Sequence, residues 1–188
     1  MTVRTAELTP DRWPDFEALM GPRGGAEGCW CMLWRLAAAE WRRGKGETNR
    51  QAMRMRVASG VAPGILAYAG DDPVGWISIA PREEFPRMLK SRIVAPLDDQ
   101  PVWAVTCFFI HSGFRRRGVA TSLLMAACAF AARNGARIIE GYPIDPRGER
   151  YANAFAWTGI MRVFELAGFE EVARRSDKRP VMRRTLQG

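Results

Sequence analysis

Apolar positions along this chain follow two rhythms, and the switch between them marks the central elements. Residues 102–111 are mostly β-branched or aromatic (Val102, Trp103, Val105, Thr106, Phe108, Phe109, Ile110), which predicts a strand. Residues 121–133 are dominated by alanine, leucine and methionine. There Val119, Leu123, Ala127, Phe130 and Ala131 recur on one face, which predicts a helix. Asn134-Gly135 supplies the stop, because glycine accepts the left-handed conformation at a helix end. A short basic loop, Ser112-Gly-Phe-Arg-Arg-Arg-Gly118, joins the two.

The flanks extend this picture. Residues 3–8 read as a short strand, and Thr9 and Pro10 open a helix with Trp13, Phe16, Leu19 and Met20 on one face. The glycines of residues 21–25 break it. Residues 41–46 read as a loop. Residues 47–59 read as a helix with Ala52, Met53 and Val57 inward and Arg50, Arg54 and Arg56 at its rim. Two apolar runs, 65–69 and 74–79, join through Gly70-Asp-Asp-Pro73 as a hairpin. Residues 81–91 form a loop or short helix whose charges (Arg82, Glu83, Glu84, Arg87, Lys90) are expected to face solvent. After Gly135, residues 136–142 form a strand that a helical crossover places parallel to the central one. A helix over 154–166 (Phe155, Ile160, Val163, Phe164) and strands over 171–174 and 181–186 complete the chain.

Composition narrows the class. With 188 residues, 47% hydrophobic and 26% charged, the chain suits one globular domain with a buried core. Its longest apolar run, within 118–132, is shorter than the ~20 residues of a bilayer span. Residues 1–12 carry no signal-peptide core, so a cytoplasmic location and no membrane partner are expected. Net charge is +8, but no basic stripe alternates with stacking aromatics, so no nucleic-acid partner is expected. Four cysteines (Cys29, Cys31, Cys107, Cys128) and one histidine (His111) match neither a disulfide framework nor a zinc site, and no metal is expected.

The chemistry concentrates in Arg115-Arg116-Arg117-Gly118-Val119-Ala120. The first N–H groups of a helix have no intrahelical partner, and the dipole adds positive charge there. Small residues let an anion approach the backbone, so the loop reads as a pyrophosphate cradle. After a hydrophobic strand and before a helix, Arg115, Gly118 and Ala120 resemble the cofactor motif of the GNAT superfamily of N-acetyltransferases. Phe164-Glu-Leu-Ala-Gly-Phe169 resembles that family's closing motif.

The resemblance implies an α/β GNAT fold over residues 1–188, a mixed central sheet flanked by helices with splayed central strands. Residues 1–60 are expected to shape the acceptor site, and 61–188 to carry the meander, the cofactor loop and the C-terminal half. It implies acetyl-CoA as cofactor, with the pyrophosphate held by backbone N–H groups of Arg116, Arg117, Gly118, Val119, Ala120 and Thr121. The pantetheine arm would pair with Phe108, Phe109 and Ile110. The implied activity is acetyl transfer to a primary amine by direct attack. A small-molecule acceptor is expected, walled by Trp30, Cys31 and Trp34. A protein or tRNA acceptor, or a non-catalytic acyl-CoA sensor, are the alternatives, and a homodimer is admissible.

Two departures from the family bear on catalysis. The closing motif's tyrosine, the expected general acid, is replaced by Phe164, and the central strand lacks a carboxylate at 103–107. Glu140 and Tyr142, two residues apart and on one strand face, are the candidate base and acid, with Tyr151 a second acid. Cys107 could relay the acyl group, although a buried cysteine is usually a small hydrophobe. His111 is expected to bind phosphate or cap the strand.

Overall fold

Residues 2–147 and 156–186 are described by the computed structural model. The hairpin shows why the core has two sides. In β2 (Gly64–Ala69), Ile65 and Ala67 point to one face, Leu66 and Tyr68 to the other, and all four are buried. A strand buried on both faces needs a layer on each side. β1 (Arg4–Glu7), β2 and β3 (Asp72–Pro81) form an antiparallel meander. β4 (Trp103–Ile110) pairs antiparallel with β3 and parallel with β5 (Ile138–Gly141). With β6 (Glu170–Ser176) and β7 (Arg179–Thr185), the sheet has seven strands in the order β1-β2-β3-β4-β5-β7-β6.

On one face, α1 (Trp13–Met20) and α3 (Glu47–Ala58) bury Trp13, Phe16, Met53 and Val57 against Leu66, Tyr68 and Trp76. On the other, α5 (Val119–Arg133) sets Leu123, Leu124, Ala127 and Ala131 against Ile77, Ile79 and Val105. The face expected for α5 is buried as its spacing requires. α5 is also the crossover that makes β4 and β5 parallel neighbours.

Three expectations change. Residues 41–46 are not all loop: α2 (Ala38–Arg43) ends within them and leaves only 44–46 as a turn, since residues 38–43 are helix formers without a breaker before Gly44. The helix expected over 154–166 is shorter among the described residues: α6 spans Met161–Leu166. Gly159 turns left-handed at φ +87° and Ile160 is extended, so the helix cannot begin earlier than Met161 without unwinding both. Residues 154 and 155 lie outside the described residues. The charges of 81–91, around α4 (Pro86–Leu89), do not all face solvent. Arg82 is only 4% exposed and donates to the carbonyls of Asp98 and Gln100, while Glu84 pairs with Arg35 and Arg56.

Candidate cofactor and acceptor site

β4 and β5 pair through only three residues, Trp103 with Ile139, Ala104 with Glu140 and Val105 with Gly141. Beyond Val105 the strands part, while β4 stays bound to β3 as far as Ile110. The far half of β4 therefore has no strand partner on this side among the described residues. Alternate residues of a strand turn their backbone groups to opposite sides. Phe108 and Ile110 face the gap: the Phe108 N–H donates to the Trp157 carbonyl at 2.6 Å, and the Ile110 carbonyl accepts from Arg115 Nε at 3.1 Å.

A bulge sets what each side chain of β4 meets. Ser78 pairs with Cys107 but Ile79 pairs with Val105, leaving Thr106 as the extra residue. Strict alternation would put Val105, Cys107 and Phe109 on one face. Instead Phe108 and Ile110 join Val105 on the α5 side, and Phe109 packs on the opposite layer. Cys107, paired with Ser78, lies on the same side of the bulge as Phe109.

At the end of β4, His111 Nδ1 accepts from the Gly113 N–H at 3.4 Å, so this histidine caps the turn that follows. Arg116 at φ +60° and Gly118 at φ +82° then reverse the chain into α5. Among the described residues, 116–121 donate no backbone hydrogen bond; the first runs from Ser122 N–H to the Gly118 carbonyl at 3.0 Å. A Cβ built on Gly118 meets no atom within 4 Å, so the space over its Cα is open. Arg115, Arg116 and Arg117 are exposed around it. Unpaired N–H groups, a helix dipole and three guanidiniums at one concave turn fit a pyrophosphate.

The opposite bank is a loop without helix, residues 21–37. Trp30 (φ +46°) and Cys31 (φ +55°) both hold the left-handed conformation, costly for side chains of their size. Trp30 is not a pocket wall: only 5% exposed, it stacks on Trp13 at 6.3 Å and contacts Phe16. Trp34 is half-buried and faces Trp157 at 6.0 Å, with Arg87 over its ring. The sequence reading missed Trp157, assigning its surroundings to a helix; Gly159 was the signal of a turn there.

Cys31 accepts from Trp76 Nε1 at 3.0 Å, and the Cys107 thiol donates to the Phe108 carbonyl at 3.8 Å. The influence of Cys107, the Trp76 N–H and the Arg35 charge hold the Cys31 thiol below its ordinary range, while Cys31 and desolvation push Cys107 well above it. Arg35 is buried and its pKa is lowered to about 10, by desolvation first and then by Arg56. It bonds Glu84 and the Pro63 carbonyl, and its Nε has no hydrogen-bond partner among the described residues. The sign follows: as pH rises, Cys31 is expected to become alkylatable by iodoacetamide before an ordinary thiol does, and Cys107 after it. Replacing Arg35 with methionine should move the Cys31 midpoint upward; mass-spectrometric alkylation profiles measure both.

Glu140 and Tyr142 are brought together as their spacing implied, but they are turned on each other. The Tyr142 hydroxyl donates to Glu140 Oε1, and Arg183 Nε reaches Oε2 at 2.6 Å. Glu140 is 0% exposed, and Arg82 Nη1 stands 3.7 Å away. Burial, and then the Glu140 charge, push Tyr142 well above the usual phenol range. Phe164 is likewise fully buried, edge-on to Phe108 and Phe169 over Gly141. Tyr151 lies outside the described residues. Among the described residues no group of three His, Cys, Asp or Glu is placed to hold a metal ion, and no helix is long and apolar enough to cross a membrane.

A family model described as the acetyltransferase (GNAT) family matches residues 30–147, more than half of the chain. Curated proteins give no match. Solved structures give many. An acetyltransferase of the GNAT family from Streptococcus pneumoniae is similar at 13% identity and TM-score 0.57, covering 99% of this chain and 100% of that one. An N-acetyltransferase from Staphylococcus aureus gives 9% and 0.56 over 100% of both chains. PaiA N-acetyltransferase from Thermoplasma acidophilum, in complex with coenzyme A, gives 11% and 0.54 over 98% and 99%.

Proposed function

Because the chain belongs to the GNAT acetyltransferase family, we propose that it transfers an acetyl group from acetyl-CoA to the primary amine of a small molecule by direct attack. The observation that carries this reading is the run of unpaired N–H groups at residues 116–121 beside the far half of β4. Residues 116–121 would hold the pyrophosphate, with Arg115, Arg116 and Arg117 adding charge. The backbone of Phe108 and Ile110 would orient the pantetheine arm as an added strand, which requires it to displace the Trp157 carbonyl from the Phe108 N–H and Arg115 from the Ile110 carbonyl. Acetyl-CoA supplies an activated thioester when bound.

The acceptor would enter between the 29–36 loop and Trp157, with Trp34 and Cys31 on its wall and Trp30 holding that wall from behind. Residues 1–60 thus serve the acceptor and 61–188 the cofactor. Trp34 and Trp157 offer flat apolar surface, which suits a small amine with an apolar or aromatic body. Both Glu140 oxygens are engaged, by Tyr142 and by Arg183, and the side chain is fully buried, so water is the better acceptor for the amine's proton, and Glu140 and Tyr142 act by holding β5. A cytoplasmic location agrees with this use of acetyl-CoA.

Phe164 favours one second reading, a sensor that binds acyl-CoA without turnover. Calorimetric titration of acetyl-CoA and of free CoA at two salt concentrations tests both. Saturable one-site binding, weaker at high salt because the arginines are screened, is expected. Amine-dependent release of free thiol then separates enzyme from sensor. Absence of binding at either salt would reduce the loop to a basic helix cap.

A further inference from the structure

β4 and β5 part beyond Val105 and Gly141, and residues 157–160 lie between the separated chains. On one side, the Phe108 N–H donates to the Trp157 carbonyl at 2.6 Å. On the other, Ile160 pairs in parallel with Ile144, just past the end of β5. The Ile144 N–H donates to the Gly159 carbonyl at 2.9 Å, and the Met161 N–H to the Ile144 carbonyl at 2.8 Å. The segment thus stands where a strand between β4 and β5 would lie. Gly159 lets it pass that closely: at φ +87°, a Cβ there would meet the Phe164 ring at 2.8 Å and the Phe108 ring at 3.0 Å.

The two ends of this segment are held differently. Gly159, Ile160 and Met161 are bound through backbone to Ile144 and lead into α6. Trp157 and Thr158 are held by the Phe108 N–H, by the Trp34 ring at 6.0 Å, and by Arg179, whose Nη1 donates to the buried Thr158 hydroxyl at 2.8 Å. Arg179 opens β7, on the far side of β5 from β4. Thr158 is therefore anchored from outside the gap.

We propose that residues 156–158 are a strap that closes the slot for the pantetheine arm, and that Arg179, through Thr158, sets how firmly it is shut. This rests on the proposed function. An arm that pairs with β4 needs the Phe108 N–H, which has a single proton to give and already gives it to Trp157. Arg115 on the Ile110 carbonyl is an exposed side chain that swings aside, whereas Trp157 brings backbone into the slot. The strap has to leave before the arm can pair. The apparent affinity is then the intrinsic affinity reduced by the fraction of molecules whose strap is open. A substitution that weakens the closed strap without touching the slot raises that fraction and tightens binding. Arg179 and Thr158 are such positions, since neither is among the residues that would hold the cofactor.

The test measures acetyl-CoA binding to the full-length protein by calorimetry and stopped flow, with Arg179→Met and Thr158→Val beside the parent and a thermal melt of each. Both variants are expected to bind about tenfold more tightly and to associate faster, the scale of one hydrogen bond from a charged donor. ADP, which carries a pyrophosphate but no pantetheine arm, should bind all three proteins equally. In the parent, hydrogen exchange over residues 156–158 should be faster with acetyl-CoA than without it, the reverse of ordinary protection by a ligand; this readout stands even where a variant fails to fold. Unchanged or weaker acetyl-CoA affinity in folded variants, an equal gain for ADP, or a strap protected by acetyl-CoA would overturn the inference and leave the cofactor assignment standing. No acetyl-CoA binding by any of the three proteins would overturn the cofactor assignment and the strap's role with it.

Discussion

Replacing Gly118 with valine is expected to yield a folded protein that no longer retains acetyl-CoA. Gly118 sits at φ +82°, where a β-branched residue is strained, at a cost of about 1–3 kcal/mol. The site lies at the surface and a Cβ there meets no atom within 4 Å, so no packing loss adds to that strain. The new side chain would instead fill the space through which a pyrophosphate approaches residues 116–121. Binding should fall by about a hundredfold or more, since several charge-assisted hydrogen bonds of about 1.5–3 kcal/mol each are lost together. Calorimetry with a parallel thermal melt reads the two effects separately. Undiminished acetyl-CoA affinity in a folded variant would remove the cofactor assignment.

Replacing Arg183 with methionine should produce the largest loss of stability. Arg183 joins β7 to β5 by bonding Glu140 Oε2 at 2.6 Å, and it grips Asp98 at 2.6 and 3.0 Å. Without it, a fully buried carboxylate keeps, among the described residues, the Tyr142 hydroxyl and Arg82 Nη1 at 3.7 Å. Breaking one side of a buried pair costs about 3–5 kcal/mol. Each kcal/mol moves the Tm of a chain this size by about 2–4 °C, so a drop of roughly 6–20 °C is expected. Glu140→Gln in the same background should recover part of it by removing the charge. A Tm within a degree or two of the parent would mean that Arg183 does not sustain the Glu140 charge. Glu140→Gln alone also separates support from chemistry: an unchanged shape of the pH–rate profile fits a positioning residue, and loss of its acidic limb would restore Glu140 as the base.

Much of the fold was legible because its signals are local. The β4–loop–α5 unit follows from β-branched and aromatic residues giving way to alanine and leucine around Gly118, and the burial of Leu123, Ala127 and Ala131 repeats that spacing. The short α6 was not legible. An apolar run carries helix periodicity whether or not a left-handed glycine interrupts it, and Gly159 is held by the packing of Phe108 and Phe164 against it. The burial of Arg82 was hidden for a similar reason. A charged residue in a loop reads as solvated unless its partners are known, and Asp98, Gln100 and Glu140 come from distant stretches of chain.

The sequence by itself determined most of the elements, the glycine turn that leads into α5 and the family, because each depends on residues within a few positions of one another. Only the tertiary structure decided what faces the gap between β4 and β5. Whether Phe109 packs toward α5 or toward α1 depends on one extra residue in a strand pairing, and a shift of one residue exchanges the two faces of a strand. Whether Glu140 is free or bound depends on Arg183 from β7, placed beside it by sheet order rather than by sequence. Periodicity records which residues turn inward, but partners from different strands are chosen by register, and register exists only once the sheet is assembled.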